Sequence, residues 1–395
     1  MSCRPPRGFL FSACAAGIKA SGKPDLALAL APEGASAAAM FTRNQIAAAP
    51  VIVGRDNVRH AQGRMFALIV NAGNANCATG RQGLKAAKNV CAGLAKQLKV
   101  REYQVFPSST GIIGVPLPVE KIHAALPGLI TAATESESSF DAFAHAILTT
   151  DTHKKVACQS ITVGGVEVTL AGVAKGAGMI HPNMATMLVY LFTDLAASPR
   201  DLQQCLETAV DQSFNNISID GDTSTNDTVL LLASGKSGVQ FKSVRDQFQS
   251  AVTRTCRSLA AQIVADGEGV KHVVRLRIEQ ARSRSEARAL AAAIANSPLV
   301  KTAWAGADPN WGRFLAAIGN SGVQINQERI NIHLGEQQIC RHGAAILFDH
   351  ERAHRYMSEP VYEIRISLGA GRADLEFLSC DLTAEYVHIN ADYST

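Results

Sequence analysis

The sequence lacks several features that would assign it to whole classes of protein. Its 395 residues include nine scattered cysteines but no C-x-x-C pair, so neither a zinc ribbon nor a disulfide framework is expected. Aromatic residues make up 6% and no long run of lysine or arginine occurs, which argues against a nucleic-acid partner. No apolar run reaches the ~18 residues that span a bilayer, and the first residues make a poor signal peptide. We therefore expect a protein of the reducing cytoplasm, with no membrane partner.

Apolar residues are plentiful, and they predict a large mixed fold. They make up 47% of the chain, whereas charged residues make up 18% and the net charge is +4. The chain is too long for one compact core of typical size, so two or three packed units are expected. Apolar runs alternate with amphipathic segments, which predicts mixed α and β structure with antiparallel pairing.

Local patterns make specific structural predictions. Residues 104–106 predict a short strand that breaks at Pro107. Gly164-Gly165 lies between two strand-like runs and predicts a hairpin. Residues 201–212 predict an amphipathic helix, and residues 386–389 predict a strand.

The most informative stretch runs from Val173 to Leu188. It contains a glycine-rich loop, then a proline, then a small residue before Thr186, then a buried strand. In a strained turn the Thr186 hydroxyl can attack the carbonyl carbon of Ala185, and an N-to-O acyl shift followed by hydrolysis frees Thr186 as a new N-terminus. Its α-amine, with a pKa of about 7.7–8, can then take the proton of its own hydroxyl. We predict cleavage between Ala185 and Thr186, with Thr186 as the nucleophile.

The other candidate residues are less specific by themselves. Thr110 is followed by Gly111, and a glycine after a hydroxyl residue lets a backbone N–H approach a developing oxyanion. Alone, this segment is an ordinary turn, Lys175 is a solvated surface charge, and Glu268 belongs to a loop that ends a helix. His181 is interpreted as structural.

The acidic run at residues 220–227 superficially resembles a calcium loop. Its glycine stands at the second position rather than the sixth, and the twelfth position is Leu231 rather than glutamate. We therefore predict no metal site. A tight loop that supports the active site through side-chain-to-backbone hydrogen bonds is the favoured interpretation.

The run KGAGMIHPNMATML, residues 175–188, resembles the self-processing segment of the ornithine acetyltransferase family, the glutamate N-acetyltransferases of arginine biosynthesis. Ordered matches extend over essentially the whole chain, which makes chance resemblance negligible. They include GIK (17–19), FTRNQIAAAPV (41–51), NAGNAN (71–76), SSTGIIGVPLP (108–118), TTDT (149–152), SFNNISIDGDTSTNDT (213–228), DGEG (266–269), GADPNWGR (306–313) and INADYST (389–395).

The resemblance implies a fold and an assembly. The fold is α/β of the α+β type, with a four-layer α/β/β/α core like that of self-processing amidases and a smaller α/β C-terminal part. Residues 1–185 and 186–395 are expected to be the α and β chains after self-cleavage, with the smaller subdomain starting at roughly residue 281. Two α and two β chains are expected to assemble.

The resemblance also implies a reaction. N2-acetylornithine gives its acetyl group to Thr186, and glutamate then takes it, so the kinetics should be ping-pong. Thr110 and Gly111 form the oxyanion hole. The implied substrate-binding residues are Thr149, Lys175, Thr186, Glu268, Asn390 and Thr395. No cofactor or metal is implied, and acetyl-CoA as an alternative acetyl donor is left open.

One departure and two alternatives remain open. After residue 269 the family usually continues Ala-Thr-Lys, whereas this chain has Val270-Lys271-His272, so Lys271 is an uncertain replacement for the family lysine. A self-cleaving amidase or aminopeptidase of the same architecture would use the same Thr186 but transfer the acyl group to water. A non-enzymatic binding protein with this fold would remain an uncleaved chain of 41.8 kDa.

Overall fold

The computed structural model describes residues 3–181 and 187–392, and within these ranges the chain forms two β-sheets. The strands of the larger sheet are β1 (Leu10–Cys14), β2 (Leu26–Phe41), β3 (Arg64–Asn74), β4 (Val105–Ile112), β5 (Lys155–Val163), β6 (Val166–Lys175), β7 (Leu188–Thr193) and β8 (Thr228–Ala233). Their order is β4-β3-β2-β8-β7-β6-β5, and β1 also pairs with β2.

The long strand β2 divides this sheet into two layers. Its first half pairs with β3 and its second half, from Ser36, pairs with β8, with a register shift between Leu30 and Ala35. Such an irregularity bends a strand and lets its two halves join different layers. Phe11 of β1 packs edge-on against Phe192 of β7, with ring centroids 5.0 Å apart. The two layers therefore face one another across a shared apolar core.

Helices cover both outer faces of this sandwich. The helices of the sandwich are α1 (Ala49–His60), α2 (Gly80–Leu98), α3 (Val119–Thr131), α4 (Glu137–Ala146), α5 (Pro199–Asp211) and α6 (Arg245–Ala265). Alternate residues of a strand point to opposite faces, so Val189 and Leu191 of β7 pack with α5 and α6, whereas Tyr190 and Phe192 face the inner core. Helices α1 to α3 pack on the opposite outer face, against Leu28 and its neighbours. The expected α/β/β/α core is confirmed.

A smaller sheet follows in the C-terminal region. Its strands are β9 (Val273–Ala281), β10 (Asn331–Leu334), β11 (Gln337–Arg341), β12 (Ala344–Ala345), β13 (Val361–Ser367) and β14 (Ala373–Cys380), in the order β12-β11-β10-β13-β9-β14. Its helices are α7 (Arg284–Ala295), α8 (Pro298–Ala305), α9 (Trp311–Gly319) and α10 (His350–Met357), and α11 (Ala384–Asp392) follows β14. The expected start near residue 281 falls at the end of β9, so this sheet begins earlier, at Val273.

The local predictions had mixed outcomes. The hairpin at Gly164-Gly165 is confirmed by antiparallel β5 and β6, and helix α5 covers residues 199–211. The predicted break at Pro107 is wrong, because β4 continues through it to Ile112. Strand β4 is the last strand in the order of its sheet, and a proline on an edge strand need not remove a hydrogen bond of the ladder.

The predicted strand at residues 386–389 is also wrong, because these residues lie in helix α11. Residues with high β-propensity form a strand only where a neighbouring strand can pair with them. The helical spacing instead puts Tyr386 and Asn390 on the same face. The Tyr386 hydroxyl lies 3.3 Å from Oδ2 of Asp220, and Asn390 reaches Glu268. The helix therefore brings the end of the chain towards the predicted site.

The cysteines and the helix lengths bear on two expectations from the sequence, namely no disulfide framework and no membrane-spanning segment. Cys3 and Cys158 form a disulfide with their Cα atoms 5.9 Å apart, whereas the other seven cysteines of the described residues are free. The expectation of no disulfide framework therefore has one exception. Among the described helices, none has both the length and the apolar character needed to cross a bilayer.

Candidate active site

A cavity of about 80 Å³ lies where the ends of β4 and β6 meet several connecting segments and α11. Every predicted site residue within the described part of the chain lines it: Thr110, Gly111, Thr149, Lys175, Glu268 and Asn390. Thr150, the neighbour of Thr149, lines it as well. The remaining predictions, Ala185, Thr186 and Thr395, lie outside the described residues.

The end of β4 supplies Thr110 and Gly111. Gly111 has φ +130°, and a Cβ added there would lie 2.3 Å from the carbonyl carbon of Gly73, so only glycine fits beside the neighbouring strand. Asn226 fixes this strand end, because its Nδ2 donates to the carbonyl oxygens of Ser109 (2.8 Å) and Ala75 (2.7 Å). The sequence predicted Gly111 but missed Asn226, whose only sequence signal was its place in the matched run at residues 213–228.

Lys175, the last residue of β6, is buried rather than solvated, with 4% of its surface exposed. Its Nζ lies 4.0 Å from Oδ2 of Asp151, a carboxylate that also accepts the backbone N–H groups of Gly176 (2.6 Å) and Thr149 (3.0 Å). Burial alone would raise the pKa of Asp151, but the ammonium groups of Lys175 and Lys155 outweigh burial and lower this pKa to about 2. Asp151 is therefore ionised and holds both predicted binding residues, Thr149 and Lys175.

A second carboxylate extends this buried network. Lys155 forms ion pairs with both Asp151 and Asp266. Asp266 also accepts the backbone N–H of Thr152 at 3.1 Å. Since Glu268 follows Asp266 by two residues, the network joins the segment of Thr149 to the segment of Glu268. The sequence reasoning gave none of these three charged residues a role.

Glu268 faces the cavity from the loop after α6. Its backbone N–H donates to the carbonyl oxygen of Ala177 at 2.9 Å, and Asn390 Nδ2 donates to its Oε2 at 2.9 Å. A Cβ added at Gly178 would lie 2.5 Å from the same Oε2, so glycine at this position makes room for the carboxylate. A buried ammonium and a carboxylate thus line one small cavity, an arrangement that can orient a ligand carrying both charges.

Two aspartates hold the described residues on either side of the predicted cleavage point. Asp220 accepts the backbone N–H groups of Met179 and Ile180, and Asp227 accepts that of Met187 at 3.0 Å. These contacts confirm that the acidic run at residues 220–227 supports the site through side-chain-to-backbone hydrogen bonds. Burial raises the pKa of Asp227 well above its usual value, and its Oδ2 has no hydrogen-bond partner among the described residues.

The C-terminal region reaches the same segment through one side chain. Asn296, which ends α7, has its Nδ2 3.0 Å from Nδ1 of His181, and its Oδ1 accepts a hydrogen bond from the Ser218 hydroxyl at 2.6 Å. The interpretation of His181 as structural agrees with this contact. Lys271 lies elsewhere: its backbone N–H binds Asp381, its side chain is exposed, and it is not among the described residues that line the cavity.

Comparison with known proteins identifies the family. The profile of the ArgJ family matches residues 10–395. The chain belongs to the ArgJ family. It is 44% identical over 397 residues to the arginine biosynthesis bifunctional protein ArgJ of Methylococcus capsulatus, covering 99% of this chain and 96% of that protein. The ArgJ of Chlorobaculum tepidum is 42% identical over 390 residues, covering 98% of this chain and 96% of that protein.

A solved ArgJ structure matches about half of the chain. The crystal structure of the arginine biosynthesis bifunctional protein ArgJ from Bacillus halodurans is 37% identical, with a TM-score of 0.50. The alignment covers 52% of this chain and 98% of the Bacillus chain. The resemblance to ornithine acetyltransferases found in the sequence is confirmed by these ArgJ matches.

Proposed function

We propose that this chain, an acyltransferase of arginine biosynthesis, transfers the acetyl group of N2-acetylornithine to glutamate through an ester on Thr186. The observation that carries the proposal is the single cavity lined by Lys175, Glu268 and the β4 end with Thr110 and Gly111. N2-acetylornithine has a carboxylate and an ammonium at its two ends, and these match the two opposite charges of the cavity.

The proposed reaction has two symmetrical halves. The Thr186 hydroxyl oxygen attacks the acetyl carbonyl carbon while the Thr186 α-amine takes the hydroxyl proton. Thr110 and Gly111 stabilise the oxyanion, and the C–N bond to ornithine breaks as the α-ammonium returns the proton to the leaving nitrogen. The amine of glutamate then attacks the acetyl ester, and the same groups move the proton in reverse. Lys175 holds the substrate carboxylate, and Glu268 holds the ammonium of ornithine.

Self-cleavage between Ala185 and Thr186 is the first step of this proposal, because it creates the α-amine. Residues 186–395 number 395 − 185 = 210, or 53% of the chain. The Bacillus ArgJ chain aligns with 52% of this chain and is itself 98% covered, whereas the Methylococcus sequence aligns with 99% of this chain. A solved chain of about half the length of the full sequence supports a precursor that is cut near its middle.

The assembly and the donor range are further parts of the proposal. We infer an α chain of residues 1–185 and a β chain of residues 186–395, assembled as two α and two β chains in the cytoplasm. Thr395 completes the substrate site. Acetyl-CoA is an alternative acetyl donor, to be tested by replacing acetylornithine in the same assay.

An exchange assay tests the proposal. Acetyl-labelled N2-acetylornithine is incubated with the purified protein, with and without glutamate. We expect labelled N-acetylglutamate and ornithine in equal amounts and ping-pong kinetics. Lys175→Met should raise the KM for acetylornithine, whereas the control Lys271→Met, at an exposed lysine away from the described cavity lining, should leave it unchanged. Release of labelled acetate independent of glutamate would instead support the amidase alternative.

A further inference from the structure

Asp151 is an enclosed charge beside the cavity, and neither the family match nor the sequence analysis gives it a role. Its side chain has no exposed surface. It contacts five groups: the ammonium groups of Lys155 and Lys175, the backbone N–H groups of Thr149 and Gly176, and the Thr149 hydroxyl, which donates to Oδ2 at 3.5 Å. Thr149 and Lys175 both line the cavity. One carboxylate thus fixes two parts of the cavity wall.

Lys175 needs a permanent anion to stay charged at its buried position. Burial lowers the pKa of Lys175, and so does the ammonium of Lys155. The anions that raise this pKa are Asp151, then Glu268 and Asp227, and the half-buried Lys19 is a further nearby cation. Burial raises the pKa of Asp227 well above its usual value, which makes it a weaker anion, and Glu268 faces the ammonium of the substrate in the proposed function. Asp151 is therefore the carboxylate that compensates Lys175 whether or not a substrate is bound.

We propose that Asp151 is a positioning residue for substrate recognition: its carboxylate keeps Lys175 charged and in place, so that Lys175 can bind the substrate carboxylate. The inference rests on the proposed function, which assigns the substrate carboxylate to Lys175. Lys155 lowers the pKa of Lys175, whereas Asp151 raises it, because Lys155 adds positive charge nearby and shares the Asp151 carboxylate with Lys175. Asp266 forms an ion pair with Lys155, and within the described part of the chain it forms none with Lys175.

The test is the pH dependence of ornithine binding, measured by calorimetry on the purified protein between pH 6 and pH 9. Asp151→Asn keeps the size of the side chain but removes its charge, so the pKa of Lys175 falls. The ratio of variant to wild-type Kd should be near one at low pH and should rise with pH, by up to about tenfold for each unit by which that pKa falls.

The matched control is Asp266→Asn, which makes the same chemical change in the other carboxylate bound to Lys155. Its Kd ratio to wild type should change with pH less than that of Asp151→Asn, because Asp266 acts on Lys175 only through Lys155. Asp151→Glu restores the charge and should restore the wild-type pH dependence, even if binding is weaker at every pH. Lys155→Met should raise the pKa of Lys175, because Asp151 then pairs with Lys175 alone. The weakening of ornithine binding with rising pH should therefore move to higher pH.

A Kd ratio for Asp151→Asn that is the same at every pH, or a Glu variant that behaves like the Asn variant, would overturn the proposal. Should Asp151→Asn fail to fold, an unchanged pH dependence in Lys155→Met would overturn it as well. The proposed function fails on different grounds, namely if the wild type makes no N-acetylglutamate in the exchange assay. The two failures are therefore distinguishable.

Discussion

The sandwich and the C-terminal region of this chain bury charge differently. Among the described residues, the buried charged side chains of the sandwich include Asp25, Asp151, Lys155, Lys175, Asp194 and Asp227. Those that follow the start of the smaller sheet at Val273 are Lys301 and Asp381, whereas the core there, around Trp304 and Phe314, is apolar. Burying a charge is unfavourable unless the charge is paired or hydrogen-bonded.

This contrast agrees with the proposal that the sandwich carries the chemistry. Lys155 and Lys175 lie at or beside the cavity, and each forms an ion pair with the buried Asp151. Asp227, next to the same cavity, accepts the backbone N–H of Met187. The C-terminal region contributes Asn296, which contacts His181. It also contributes helix α11, whose Asn390 contacts Glu268. Sequences depart from simple apolar packing mainly where function requires it.

The largest expected effect comes from the strand end in the sandwich. Gly111→Ala would force a Cβ to within 2.3 Å of the Gly73 backbone and displace the oxyanion site. Loss of one such donor lowers kcat about 10²–10³-fold, so acetyl exchange should fall by at least a hundredfold. The control is Gly114→Ala, which also has positive φ, +83°, but whose added Cβ meets no described atom within 4 Å. Similar losses in both variants would contradict the steric argument.

Asp227 tests whether the sandwich holds the cleavage point by hydrogen bonding rather than by charge. Asp227→Ala leaves the buried N–H of Met187 unpaired, which costs ~1–3 kcal/mol, so self-cleavage should slow about tenfold. Asp227→Asn keeps an oxygen acceptor for this N–H, and burial already disfavours the charged form by raising the pKa of Asp227, so cleavage should stay near the wild-type rate. The rates are read from a denaturing gel time course. Equal slowing in both variants would show that the charge itself matters.

The acid sensitivity of the sandwich should depend on Asp151. Its pKa is about 2 in the folded chain against 3.8 for an unperturbed aspartate, so its stabilisation is complete well above pH 3.8 and is lost as pH falls towards 2. By pH 3 this loss amounts to about 1 kcal/mol. Urea unfolding at pH 6 and pH 3 should therefore show a smaller decrease in unfolding free energy for Asp151→Asn than for the wild type. An identical decrease would contradict the assigned pKa.

The smallest effect should come from the C-terminal region. Asn296→Ala removes the contact with His181 and the hydrogen bond from Ser218, and a hydrogen bond contributes ~0.5–1.5 kcal/mol. Self-cleavage should slow about threefold. Asn320→Ala, a residue that likewise ends a helix of this region, is the matched control and should cleave at the wild-type rate. Equal cleavage rates in the two variants would show that this contact of the C-terminal region does not affect processing.

Much of the site could be predicted because its residues fall in contiguous motifs. Gly111 and Gly178 belong to runs whose residue types are fixed by close approaches, to the Gly73 backbone and to Glu268. The ion pair of Lys155 with Asp266 could not be predicted, because these residues are 111 positions apart and nothing local marks them as partners.

The fold errors have a similar cause. Pro107 and residues 386–389 were interpreted from local propensity, yet their structure depends on neighbours along the sheet. Pro107 is tolerated because β4 is the last strand of its layer, and residues 386–389 form a helix that docks on Asp220 and Glu268. The layer order, by contrast, was expected from the family resemblance alone. The near-continuous apolar run of β7 correctly predicted a strand that is buried on both faces.

The central claim is that Thr186 acts with its own α-amine, and intact-mass measurement with N-terminal sequencing of active wild-type protein tests it most directly. We predict two fragments, of 185 and 210 residues, the second beginning at Thr186, and a single full-length chain for Thr186→Ala. Fully active protein that consists only of the uncut 395-residue chain would contradict the account.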